Sequence, residues 1–115
     1  MSIDFSELQN EIVADLTNEL SGEDTFNADI LTIKVKLAIK DVISRRNYSA
    51  SGLSDEDILA DLENYYAVIT NVARYDYNQI GIEGEVSHSE NGVSRSYSKR
   101  DSLFNGVYAF IGVIS

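Results

Sequence analysis

With 115 residues, no cysteine and no proline, the chain is long enough for one modest core and offers neither a disulfide framework nor thiolate chemistry. Its 19 acidic against 9 basic residues give a formal charge of -10, which excludes the broad basic face that sequence-specific duplex binding requires. No apolar run approaches the ~20 residues of a membrane helix, and Met1-Ser2-Ile3-Asp4 lacks the basic start and apolar run of a secretory signal, so a soluble protein made in a cytoplasm is expected.

The pattern predicts a mainly α fold in one domain: a small bundle of three to four helices with a protruding β-hairpin before the C-terminal segment. The first helix runs from about Asp4 to Leu20. Leu8, Ile12, Leu16 and Leu20 repeat at i+4, Ser6 with Gln9 resembles a capping box, and Glu7, Glu11, Asp15 and Asn18 make the opposite face polar. The second helix spans about 28–46 with Asn27 as N-cap. It is apolar around most of its circumference, which marks a central or interface helix, and Arg45 and Arg46 complement the negative end of its dipole.

Asn47 to Leu53 is a short loop. A third helix, about 55–80, follows Ser54 as N-cap, with Asp55, Glu56 and Asp57 at the positive end of its dipole. Its apolar stripe is Ile58, Leu62, Tyr65, Ile69 and Val72, continued by Asp76 or Tyr77, and Gly81 is the expected αL stop. From about 82 to 99 the chain reads as a hairpin closed by Asn91-Gly92, a strong type I′ turn signal. Counting outward pairs Val86 with Tyr97 and His88 with Arg95 on one face, while serines and the Glu85–Ser98 pair occupy the other. A lone two-stranded hairpin is marginal in water, so its edges and half-apolar face call for a partner. The last segment, about 102–114, reads as a helix carrying Leu103, Val107, Phe110, Ile111 and Ile114, with an extended tail as the alternative.

Charge is arranged in blocks. Residues 1–29 hold eight acids and no Lys or Arg, residues 30–50 carry Lys34, Lys36, Lys40, Arg45 and Arg46 against Asp41 alone, and acids return at 55–63. Such alternation favours packing of unlike segments, within a subunit or between subunits.

Candidates for chemistry are few. His88 is the single histidine, but Ser87 and Ser89 alternate to the opposite face of a strand, away from its imidazole. Asp55, Glu56, Asp57 and Asp61 lack the spacing and central glycine of an oxygen-ligand calcium loop. Tyr65, Tyr66, Tyr75 and Tyr77 have few cations nearby and read as core-edge anchors rather than a base-stacking platform. Gly81-Ile-Glu-Gly84 has no following Gly-Lys-Ser/Thr, and zinc, nucleophile-elbow and dinucleotide signatures are missing. The expectation is a protein that is not an enzyme, with no catalytic residue, no cofactor and no metal.

The order of an amphipathic helix, then I-L-T-I-K-V-K-L-A-I-K-D-V-I, then D-E-D-I-L-A-D-L-E-N-Y-Y-A-V-I, then G-E-V-S-H-S-E-N-G-V-S-R-S-Y over Gly84–Tyr97 resembles the small helical head-to-tail connector (adaptor, head-completion) proteins of long-tailed bacteriophages. The last stretch is the most specific part of the likeness, which covers roughly Ala28 to the C-terminus. The resemblance implies a virion protein at the neck: a homo-oligomeric ring of about twelve subunits, closed because each subunit carries two different complementary patches. It implies docking beneath the portal protein, a platform for a stopper or tail-completion protein, and genomic DNA passing through an acidic lumen without specific binding. On this reading the interface residues are Val86, His88, Asn91, Gly92, Arg95, Tyr97 and Phe110. The rival is a small acidic phage-encoded regulatory or inhibitory binding protein whose first helix covers a basic surface. A hydrolase using His88 is the third and weakest possibility.

Overall fold

A computed structural model describes residues 3–85 and 99–111, with 80–85 described by backbone alone. Four helices account for most of it: α1 (Ser6–Leu20), α2 (Ala28–Arg46), α3 (Asp55–Asn64) and α4 (Tyr66–Glu85), with a 3-10 turn over Tyr48–Ala50 after α2. There is no strand among the described residues. Helix α2 is the hub and packs against α1, α3 and α4.

Helices α1, α2 and α3 start where local chemistry provides a partner for a free N–H group. For α2 the Asn27 side chain accepts from the Ile30 N–H at 3.0 Å, and for α3 the Ser54 hydroxyl accepts from the Asp57 N–H at 3.2 Å, both as the sequence predicts. For α1 the expected Ser6–Gln9 box does not form. Instead the Asp4 carboxylate accepts from the Ser6 N–H at 3.0 Å and from its hydroxyl at 2.6 Å, and these bonds hold its pKa below the ordinary carboxylate value. An ionised acceptor is stronger than a hydroxyl at the positive end of the dipole, which explains the preference.

The core follows the predicted periodicities. Leu8, Ile12, Leu16 and Leu20 of α1 are buried against Leu31, Val35, Ala38, Ile39 and Val42 of α2, and Ile58, Leu62, Ile69, Val72, Ala73 and Tyr77 close the far side. The buried Tyr77 hydroxyl accepts from the Asn27 N–H at 2.8 Å, which pins the start of α2 to α4.

Three expectations are corrected. The single helix over 55–80 is two: Tyr65 leaves helical geometry (φ -103°, ψ 16°), and its N–H bonds the Leu62 carbonyl at 2.9 Å, one residue tighter than an α-helical bond. Gly81 does not stop the second of them. Helix α4 runs on to Glu85, so Ile82–Glu85, expected in the first hairpin strand, are helical and the Glu85–Ser98 pairing is lost. A glycine inside a helix costs only about 1 kcal/mol, and no proline follows to force an end. The rest of the hairpin, with Val86, His88, Asn91, Gly92, Arg95 and Tyr97, lies outside the described residues.

The C-terminal segment is not a helix over 102–114. Residues 99–102 are helical, 103–106 form a turn and 107–111 have no regular secondary structure. Gly106 turns the chain with φ +92°, a conformation open to glycine at no steric cost.

Replacing Ile39, fully buried in α2, with alanine should lower the unfolding free energy by about 2–5 kcal/mol. Ile33→Ala on the exposed side of the same helix should change it by less than about 1 kcal/mol. Urea unfolding followed by far-ultraviolet circular dichroism checks both.

Candidate functional site

The segment 107–111 lies against the C-terminal end of α2, where Arg46 is its main side-chain anchor. Arg46, the last residue of α2, donates from Nε to Asp61 Oδ2 at 2.9 Å and from Nη2 to Asp61 Oδ1 at 3.0 Å, a bidentate pair in which both side chains are largely buried, 12% and 17% exposed. Its third nitrogen, Nη1, donates to the Tyr108 carbonyl. The guanidinium also lies over the Phe110 ring at 4.1 Å and the Tyr65 ring at 5.0 Å. Planar stacking and a fixed fork of donors are what arginine supplies and lysine does not.

Main-chain bonds complete the strap. The Phe110 N–H donates to the Arg46 carbonyl at 2.8 Å, satisfying one of the carbonyls left open at the end of α2. Asn47, left-handed at φ 53°, turns the chain out of the helix and donates from Nδ2 to the Phe110 carbonyl at 3.2 Å. Phe110 stacks at 5.8 Å on the buried Tyr48, whose hydroxyl donates to Asp61 Oδ2 at 2.6 Å. Burial, and then the hydrogen bond to Asp61, push the Tyr48 phenol well above its ordinary pKa. Asp61 in turn raises the pKa of Arg46.

A second clamp sits at the other end of the turn. Arg100 makes a bidentate pair with Asp76 of α4 at 2.8 and 2.9 Å and reaches Asp41 of α2 at 2.9 Å. Asp41 also accepts from Arg45 at 3.1 Å. Phe104, buried, sits beneath both arginines, with Arg45 3.7 Å and Arg100 5.4 Å from its ring centroid. Between the clamps the chain shows its remaining apolar side chains to the outside: Tyr108 is 73% exposed and Ile111 84%.

Every arginine described is ion-paired, no buried side-chain polar atom among the described residues lacks a partner, and no group of three His, Cys, Asp or Glu among them lies close enough to hold a metal ion. No described helix is long and apolar enough to cross a membrane. Of the predicted interface residues the structure describes Phe110 alone, and it packs partly into the bundle instead of standing free. The tertiary pairs Arg46–Asp61 and Arg100–Asp76 went unread in the sequence. Their signal is present, since Asp61 and Asp76 interrupt apolar stripes, and a carboxylate on a buried face demands a cation. Comparison with protein-family models, with curated proteins and with solved structures finds no match.

Asp61→Ala removes the anion facing a largely buried guanidinium and should cost about 3 kcal/mol, with loss of amide-exchange protection at Phe110 before global unfolding. The raised Tyr48 pKa has its own signature. The fold favours the neutral phenol, so this contribution is full below the unfolded value and declines as pH rises above about 10. Tyr48→Phe should flatten the fall of stability above that pH in alkaline urea titrations, while the wild type keeps it.

Proposed function

We propose that this chain is a structural protein of a long-tailed bacteriophage, a head-to-tail connector that forms a ring at the neck of the virion, beneath the portal. The observation that carries the reading is the strap: two arginine clamps hold 103–111 against the bundle so that Tyr108 and Ile111 stand outward as fixed apolar contacts. Exposed aromatic and aliphatic anchors are a means of protein association. The resemblance read in the α2, α3–α4 and Gly84–Tyr97 sequences is what supports the neck as the site of that association. The exposed acids Glu11 and Asp15 of α1 suit a channel past which DNA slides without shedding counterions.

The same acidic face favours the second reading, a small phage-encoded regulator that covers a basic surface. Residues 3–29 carry no cation, and Arg74 neutralises only Glu19 among their acids.

Mass spectrometry of purified virions, together with negative-stain imaging of the protein mixed with portal, tests the assignment. The connector reading expects the chain in virions and a ring on the portal. A chain missing from virions, found instead on one basic host or phage enzyme, overturns it. Tyr108→Ala with Ile111→Ala should leave stability within about 0.5 kcal/mol while reducing incorporation into particles, as measured by quantitative immunoblot.

A further inference from the structure

The outer face of α2 has no partner within the chain. Ile33 is 55% exposed and Leu37 49%, one turn apart and therefore side by side on the surface. Lys36 and Lys40 line the adjacent ridge, both exposed. Neither they nor Lys34 form an ion pair among the described residues, in contrast to the four described arginines, each of which is paired. An apolar pair beside unsatisfied cations is half of a contact.

The matching half lies elsewhere on the same molecule. Between the start of α1 and α3 is a notch of about 160 Å³ with Phe5, Leu8 and Leu59 in its lining and Asp4, Glu7 and Glu63 around it. Glu7 and Glu63 are exposed and carry no ion pair among the described residues. The notch has room for one branched aliphatic side chain, and its carboxylates suit two ammonium groups alongside it.

We propose that the α2 face of one copy docks on the α1–α3 notch of a second copy, with Leu37 entering the notch and Lys36 and Lys40 meeting Glu7 and Glu63. The two patches share no residue, so unless both engage at once about a two-fold axis each contact leaves a free patch on either copy, and the contact propagates head-to-tail into a ring or filament. Charge complementarity selects this occupant. The chain is strongly acidic overall, and three lysines amid that charge are a poor site for nucleic acid. The contact rests on the ring reading above for its closure, and names the surfaces that the ring would use.

The absence of native cysteine makes the test direct. Chains carrying Ile33→Cys and Ala60→Cys, which keep Leu37, are mixed at high concentration and treated with a short bis-maleimide; the same variants are then cross-linked within virions. A 33-to-60 product is expected from the mixture, and a ladder of higher oligomers from the double variant. Adding Lys36→Glu and Lys40→Glu to the Ile33→Cys chain should cut the yield about tenfold, and Glu7→Lys with Glu63→Lys on its partner should restore it. A predominant 33-to-33 product, or no 33-to-60 product either in concentrated solution or in particles, overturns the contact. The two proposals fail separately. A ladder from a chain that never enters virions leaves the contact standing and removes the connector reading; incorporation without the 33-to-60 product does the reverse.

Discussion

Arg46 occupies a place where four parts of the chain meet: the end of α2, the 3-10 turn, helix α3 and the C-terminal strap. Its guanidinium is committed on its edge to Asp61 and the Tyr108 carbonyl, and on its face to Phe110 and Tyr65. A partly buried charge is tolerable only when it is paired and its donors are used, so the pair imposes conditions on everything near it. Asp61 must face inward from α3, Tyr48 must bring its hydroxyl to the same carboxylate, and the strap must pass close enough to lend a carbonyl. Aliphatic packing alone places helices loosely in rotation and register; this network fixes them.

The second clamp extends the same logic. Arg100 bridges α4 and α2 through Asp76 and Asp41, and Phe104 is covered by two guanidinium groups. The cationic block at the end of α2 therefore acts through tertiary pairs as well as through its own helix dipole. Once these arginines are spent inside the molecule, the cations without an ion pair among the described residues are Lys99 and the lysines of α2. Which charges are internal and which are available to a partner is thus decided by the two clamps.

Much of the helical frame was legible. The i+4 leucine and isoleucine spacing of α1, the Asn27 and Ser54 caps and the span of α2 are set by local periodicity and local hydrogen bonding, and both can be read along the chain. The misreadings have one source. Gly81 was read as a stop because glycine favours αL geometry, but that preference is weaker than the continuation of an already formed helix. The break at Tyr65 has no proline or glycine to announce it. The strap over 107–111 carries helical spacing at Leu103, Val107 and Phe110, yet its backbone bonds go to Arg46 and Asn47, residues some sixty positions away.

The candidate site was legible only as unease. Asp76 was read as one continuation of an apolar stripe and Asp61 with the acids at the start of its helix, and the basic residues that answer them lie 15 and 24 positions distant. The sequence by itself determined the helical class, the caps, the core faces and the segregation of charge, because each depends on neighbours within a turn or two. The tertiary structure alone decided which charge meets which, where the strap lies and which apolar residues remain outside. Those outcomes follow from how helices pack and turns redirect the chain, and no local spacing encodes them.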